Sequence, residues 1–206
     1  MTKFVIHDKI TIVINKNELK NMPAKKLITR QKIIDTAFQI VQMDGMDSLN
    51  MRNLAKMCNC STQPIYLSFK NAEELKSVLE RKIVAEFENF INIQISAGEF
   101  PEYKAIGMGY IKFAVEQPEL FKYLFMRKCG NEGYGNESFD KATFSIMKNY
   151  GLYKNDAAKL HAEMWVFVHG IATMFVTGYL NWDWQTVSEM VSDVFRGLTA
   201  KNGGCK

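Results

Sequence analysis

Cysteine is scarce in this 206-residue sequence, and the marks of several protein classes are missing. Four cysteines over this length are too few for a disulfide scaffold, which indicates a reducing compartment and a core that folds without cross-links. The chain has no internal repeat and no low-complexity tract. Because 47% of the residues are hydrophobic and the formal net charge is only +4, general disorder is excluded and a globular core is expected.

Targeting and membrane segments are missing as well. Residues 1–21 contain a short apolar stretch, but His7, Asp8 and Lys9 interrupt it and no small-residue cleavage site follows, so it is not a secretory signal. The uncharged stretch Met164–Trp182 reaches the length of a marginal membrane span, yet it contains polar residues and lacks basic flanks. We interpret it as a buried helix, and we expect a cytoplasmic protein without a membrane partner.

The common catalytic and metal-binding motifs are absent from the sequence. It contains no phosphate-cradling glycine loop, no nucleophile elbow, no HExxH pair and no arrangement of paired carboxylates. Cys58 and Cys60 form a C-x-C pair, for which metal binding is one interpretation. We prefer the other, a pair of small apolar core residues, because no histidine lies near them. We therefore expect no enzyme activity, no metal and no cofactor.

The charge that is present lies unevenly along the chain. Residues 22–70 carry seven basic and three acidic side chains, a surplus of four positive charges. Residues 83–206 carry twelve basic and fourteen acidic side chains, a surplus of two negative charges. A basic N-terminal part on a slightly acidic body is typical of a nucleic-acid-binding protein with a second module. Uneven solvation of a surface is the alternative that counting alone leaves open.

Helical patterns cover nearly the whole chain, and the sequence predicts an all-α fold. Thr29 is a candidate N-cap for a helix that ends near Gly45. Asn50 can cap a short second helix, and Ser61 can cap a third that contains Pro64 in its first turn. Six further helices are expected at about residues 72–95, 101–116, 118–128, 137–150, 155–180 and 184–199.

Strand-like alternation occurs in one place, residues 4–14. This stretch could form a hairpin about Asp8, but an isolated two-stranded hairpin is marginal in water. We favour another interpretation, in which the functional protein begins at Met22 and residues 1–21 are an extra N-terminal segment, disordered or not native. Abundant peptides from residues 3–20, found by mass spectrometry of the native protein, would contradict that interpretation.

The most informative stretch is residues 50–69, which has the pattern of a helix-turn-helix. Such a motif needs a small residue where the helices cross, a residue that tolerates positive φ in the turn, and apolar contacts on both sides. Ala55 is the small residue, and Asn59 is one of the few non-glycine types that accept the left-handed conformation. Leu54 and Ile65 are among the residues that supply the apolar contacts.

Residues 29–75 as a whole resemble the DNA-binding domain of the tetracycline-repressor (TetR, AcrR-like) family. The resemblance covers the first helix, the turn at Gly45, the helix-turn-helix and its Tyr66-x-x-Phe69 ending. In the second half, Pro118-Glu-Leu-Phe-x-x-Leu-Phe125 and Trp165-x-x-x-His169-Gly170 resemble the ligand-binding domain of the tryptophan–histidine–glycine (WHG) type in that family.

The resemblance implies a transcriptional regulator with two domains. Residues 22–70 would form the helix-turn-helix domain, and residues 71–206 a helical bundle for effector binding and dimerisation. The protein would be a repressor, a homodimer on a palindromic double-stranded DNA operator, released by a small-molecule effector. The alternative is a dimeric ligand-sensing or interaction protein of the same fold without operator binding. Ala72, where the family often has lysine, supports that alternative.

Carried over by position, the resemblance also implies a DNA-contacting surface. The recognition helix would run from Ser61 to Phe69 in the major groove, with Thr62, Gln63 and Pro64 facing base edges. The amide of Gln63 can address adenine. Contacts to the phosphates, or positive charge near them, would come from Thr29, Asn50, Arg52, Tyr66, Ser68 and Lys70.

Aromatic and methionine residues are frequent between residues 103 and 182, and some of them could line an effector site. The candidates are Tyr110, Phe113, Phe125, Phe144, Met147, Trp165 and His169. His161, Trp165 and His169 share one helix face, which we interpret as a packing face rather than a ligand contact. Within it, His169 is the better candidate for a pocket role, because Gly170 would allow close helix approach.

Overall fold

The body of the chain is helical in the computed structural model. Residues 28–127 and 136–201 are described, with the backbone alone for residues 136–141, together with the backbone of residues 2–6 and 10–14. The nine α-helices of these residues are α1 Arg30–Asp44, α2 Met51–Met57, α3 Gln63–Ser68, α4 Ala72–Ala97, α5 Glu102–Glu116, α6 Pro118–Phe125, α7 Asn136–Tyr150, α8 Lys154–Val176 and α9 Trp184–Lys201. A short 3-10 helix, Met46–Ser48, precedes α2. The predicted all-α fold is confirmed for this part of the chain.

The N-terminal segment differs from the rest of the fold. Its strands β1 (Thr2–Ile6) and β2 (Ile10–Ile14) pair in antiparallel fashion, with Ile6 opposite Ile10. The hairpin, which sequence reasoning had favoured less, is therefore the arrangement of these strand residues. Residues 7–9 and 15–27 lie outside the described residues. That the native protein begins at Met22 stays a prediction.

The first two helices begin where their capping residues predict. The Thr29 hydroxyl accepts a hydrogen bond from the Lys32 N–H at 3.2 Å, and the Asn50 amide oxygen accepts one from the Asn53 N–H at 2.9 Å. Each side chain thereby satisfies a backbone donor that has no partner inside its helix.

The start of α3 and the end of α8 correct the sequence prediction. Helix α3 has Thr62, not Ser61, at its N-cap position, and no side chain caps it. Helix α8 ends at Val176, four residues before the predicted end at 180. There the Thr177 hydroxyl donates to the Thr173 carbonyl at 2.9 Å, and Gly178 takes a positive φ of 72° that ends the helical path.

A single apolar core joins the two ends of the molecule, and α4 runs along it. Leu75, Leu79, Ile83 and Phe87 of α4 are all buried in this core, and α4 packs against α1 in the N-terminal part and against α5 in the C-terminal part. Among the helices that the structure describes, none combines the length and the apolar character that crossing a membrane requires.

Candidate DNA-binding surface and ligand cavity

Helices α2 and α3 meet at the tight turn that the sequence predicts. Asn59 has a φ of 51°, in the left-handed region, and the Cys60 N–H donates to the Ala55 carbonyl at 3.0 Å. Leu54 and Ile65 are fully buried on the two sides of this turn. Cys58 is half-buried and packs against the core. The predicted helix-turn-helix geometry is confirmed.

Arg30 of α1 connects the end of α3 to the start of α4. Its guanidinium lies 4.5 Å from the centre of the Phe69 ring, and it donates to the Ser68 carbonyl at 3.3 Å and to the Glu74 carboxylate at 3.0 Å. Glu74 also accepts the Lys70 N–H at 2.8 Å, and this hydrogen bond is the main reason that its pKa is lowered. Exposed ion pairs contribute little to stability. We therefore interpret this network as one that orients α3 rather than one that stabilises the fold.

The outer face of α3 is open to solvent, and the predicted base-contacting residues lie on or beside it. Ser61 and Gln63 are exposed, Tyr66 is 59% exposed, and Thr62 and Pro64 are half-buried. No other part of the described chain covers Gln63 and Tyr66. A duplex could therefore approach them without any rearrangement of the described residues.

The predicted phosphate contacts fall into two groups. Thr29 and Asn50 are exposed at the N-termini of α1 and α2, where backbone N–H groups favour anions. Ser68 is half-buried, and its hydroxyl donates to the Pro64 carbonyl at 2.8 Å. Its proton is therefore already used within α3, and in this conformation the side chain has none to give to a phosphate oxygen.

Exposed cations surround the helix-turn-helix. Arg52, Lys56 and Lys70 are exposed, and among the described residues none of the three forms an ion pair. Sequence reasoning listed Arg52 and Lys70 and missed Lys56. It also missed Leu67, which is 80% exposed on α3, because a leucine normally indicates a core position.

A cavity of about 1050 Å³ lies among helices α4 to α9. Most of its lining is apolar, and the volume is at the upper end of the range of small-molecule sites. Four of the predicted effector residues line it: Tyr110, Phe125, Phe144 and Trp165. The other three lie outside the lining: Phe113, Met147 and His169.

His169 lies behind the cavity wall. Its ring stacks on Phe121 and on Trp165, with ring centres 5.9 Å and 5.4 Å apart, and it is hydrogen-bonded to the Tyr110 hydroxyl at 2.8 Å. It therefore orients Tyr110, which does line the cavity. The close helix approach expected at Gly170 is not made within the chain, because a Cβ added there would meet no atom within 4 Å.

Two tyrosine–histidine hydrogen bonds join α5 to α8. Besides the bond between Tyr110 and His169, the Tyr103 hydroxyl is 2.9 Å from Nδ1 of His161, and both of these residues line the cavity. Burial lowers the pKa of His161 to about 4 and also lowers the pKa of His169. Burial likewise raises the pKa of both tyrosines, so all four groups are uncharged at neutral pH.

The low pKa of His161 makes stability depend on pH in the acid range. The unfolded chain takes up a proton on this residue near pH 6.5, and the folded chain does so only near pH 4. The wild-type protein should therefore lose free energy of unfolding as the pH falls through this window, by about 3 kcal/mol relative to His161→Gln. Urea unfolding of both proteins between pH 7 and pH 4 measures the difference. Parallel profiles would show that burial does not hold His161 neutral.

Comparisons with known proteins agree with this architecture. Residues 103–198 match the family model described as the tetracycline repressor-like C-terminal domain. An uncharacterized HTH-type transcriptional regulator from Mycobacterium tuberculosis is 21% identical over 168 residues, which cover 77% of this chain and 74% of that protein.

Two solved structures share the fold. A protein of unknown function from Rhodococcus sp. RHA1 has a TM-score of 0.66 at 20% identity, over 85% of this chain and 98% of that one. A TetR-family protein from Vibrio parahaemolyticus has a TM-score of 0.57 at 15% identity, over 82% of this chain and 97% of that one. With a helix-turn-helix at one end and the matched C-terminal domain at the other, the chain is similar to tetracycline repressor-like (TetR) transcriptional regulators.

Proposed function

We propose that this regulator is a cytoplasmic repressor that binds a palindromic operator as a homodimer and is released by a small molecule in the C-terminal cavity. The open face of α3 carries the proposal, because Gln63 and Tyr66 are exposed while Arg30 holds the end of the helix in place. Arg52, Lys56 and Lys70 would add the attraction to phosphates that makes DNA binding sensitive to salt.

Helix α4 connects the cavity to the helix-turn-helix domain. Helix α4 lines the cavity with Phe87 and Ile91, and near its middle it is tied to α1 by the ion pair of Lys82 with Asp35 at 3.0 Å. A ligand that displaces α4 would therefore move α1 and, through Arg30, α3. Operator and effector must then weaken each other's binding by the same factor.

Helix α6 provides a second connection to the DNA-binding domain. Phe125 at its C-terminal end lines the cavity, and Gln117 before its first residue accepts a hydrogen bond from the Gln42 amide of α1 at 2.8 Å. Glu119 lies against the turn after α1, where a Cβ on Gly45 would come within 2.9 Å of its carboxylate. A shift of α6 on ligand binding would therefore be passed to the end of α1.

Dimerisation is proposed through α8 and α9, since α8 leaves apolar side chains uncovered and a Cβ at Gly170 or Gly197 would meet no atom of the described residues within 4 Å. Met174→Lys is expected to convert the dimer to monomer, because it puts a charge into the proposed interface. The control is Val115→Lys on α5, which is outside the proposed interface. The two positions are matched in exposure, since Met174 is 42% exposed and Val115 is 47% exposed. Sedimentation velocity measures both. A dimer with Met174→Lys, or a monomer with Val115→Lys, would contradict this interface.

An electrophoretic mobility shift with the DNA upstream of the chain's own coding region tests the proposal as a whole. Salt-dependent retention that unrelated DNA cannot compete away is the expected result. Binding that does not distinguish this DNA from unrelated sequence would favour the alternative, a ligand sensor of the same fold that does not bind an operator. That alternative is supported by Ala72, which is exposed at the first position of α4, where the TetR family often has a lysine.

A further inference from the structure

Two positively charged side chains border the cavity from neighbouring helices. Lys104 of α5 and Arg196 of α9 both line it. Lys104 is half-buried, with its ammonium 4.5 Å from the centre of the Phe100 ring, and among the described residues no carboxylate pairs with it. Within the described part of the chain, Arg196 forms an ion pair with Asp193 alone, one turn earlier on its own helix. The cavity therefore has a cationic border whose lysine has no counter-charge in direct contact.

Lys104 is harder to protonate than a lysine in water. Burial is the largest cause that lowers the pKa of Lys104, and the charge of Arg196 is the second. The charge of Glu189 opposes both, but it forms no ion pair with Lys104. Because Lys104 is half-buried and feels the positive charge of Arg196, an anion bound near both groups would be stabilised.

The acidic residues of the lining do not supply that anion. Glu88 and Glu102 also line the cavity, and both are exposed. In the part of the chain that the structure describes, neither forms an ion pair with Lys104 or Arg196. Other polar residues of the lining are uncharged, among them Tyr103, which is hydrogen-bonded to His161, and Tyr110, which is hydrogen-bonded to His169.

We propose that the cavity takes an amphipathic carboxylate, with its anionic end between Lys104 and Arg196 and its apolar body against the apolar lining. This inference names the effector class and so rests on the proposed function of the cavity as the effector site. A carboxylate accepts charge-assisted hydrogen bonds from both cations and removes their mutual repulsion. A neutral analogue leaves that repulsion in place, and a cationic one adds a third positive charge.

Isothermal titration calorimetry of the full chain with matched ligands tests the proposal. The carboxylates are decanoate and 2-naphthoate, the neutral analogues are 1-decanol and 2-naphthalenemethanol, and decylamine is the cation. At least one carboxylate should bind about tenfold more tightly than its alcohol, and decylamine should bind more weakly than decanol. Lys104→Gln and Arg196→Gln should each remove most of that difference while leaving the affinity for the alcohol unchanged.

Lys112→Gln is the matched control, because Lys112 is on the same helix, lies outside the lining and is 3.9 Å from the Glu116 carboxylate. It should behave as the wild type. Alcohols that bind as tightly as the carboxylates, carboxylates that do not bind, or an equal effect of Lys112→Gln would overturn the proposal.

Operator affinity measured with the same ligands separates this inference from the function on which it rests. Lys104-dependent binding of a carboxylate without any change in operator affinity would refute release by effector and leave the ligand class standing. Release by the alcohols alone would refute the proposed ligand class and leave release by effector standing, since the cavity would then regulate DNA binding without selecting an anion.

Discussion

Gln63→Ala is expected to lower the affinity for the operator by about 2–6 kcal/mol, because a dimer presents two copies of the side chain and each bidentate contact to a base contributes about 1–3 kcal/mol. Gln63 is exposed on α3, and none of its side-chain atoms has a hydrogen-bond partner within the described chain. Its replacement therefore removes no contact that holds the fold. The variant should keep the affinity of the wild type for unrelated DNA. It would therefore lose the ability to distinguish the operator from unrelated DNA.

Arg52→Ala provides the contrast that makes this prediction specific. Arg52 is exposed on α2 and carries charge rather than sequence information. Its loss should weaken binding to the operator and to unrelated DNA by a similar factor, and should flatten the salt dependence by about one per subunit. Fluorescence anisotropy at several salt concentrations, on both DNAs, measures each quantity. If both variants lose affinity equally on both DNAs, then α3 does not read bases in the way proposed.

Phe121→Ala is expected to reduce the free energy of unfolding by about 3–5 kcal/mol, since it empties a large, fully enclosed site. Phe121 is fully buried, and its ring lies 5.3 Å from that of Tyr110, 5.2 Å from that of Phe125 and 5.9 Å from that of His169. Three helices, α5, α6 and α8, meet at this one side chain. For a chain of this length the loss corresponds to a fall in Tm of about 6–20 °C.

Phe144→Ala is the control for this prediction, because the same ring is removed from a side chain that is 66% exposed. Its free energy of unfolding should change by less than about 0.5 kcal/mol, as for ordinary surface substitutions. Thermal and urea unfolding should be compared at one protein concentration, since association would otherwise shift the transitions. Comparable losses in the two variants would mean that Phe121 is not at the centre of the packing.

The DNA-binding end of the molecule was largely predictable because its determinants are local. Caps at Thr29 and Asn50 satisfy donors three residues away, and the turn at Asn59 depends on the φ preference of one residue. The misassigned cap at Ser61 was an error of one position, since Ser61 and Thr62 are both able to cap and only the backbone conformation distinguishes them.

The cavity was less predictable, because its lining comes from positions far apart in the chain. In the two tyrosine–histidine pairs, the partners are separated by 58 and 59 positions in the sequence. Nothing in the local sequence pattern connects them. Phe113 and Phe125 are both apolar members of the same region, yet the first is sealed in the core and the second faces the cavity. Lys104 looks in the sequence like any surface lysine.

The sequence by itself determined the approximate positions of the helices, the caps of α1 and α2, the helix-turn-helix and the resemblance to the TetR family, because these depend on residues close together along the chain. Only the tertiary structure decided which side of α5 and α8 faces the cavity, that His169 lies behind the cavity wall while His161 lines it, and that Lys104 and Arg196 border the same cavity. Those outcomes depend on the rotation of each helix about its axis, which is set by the packing of all its neighbours at once.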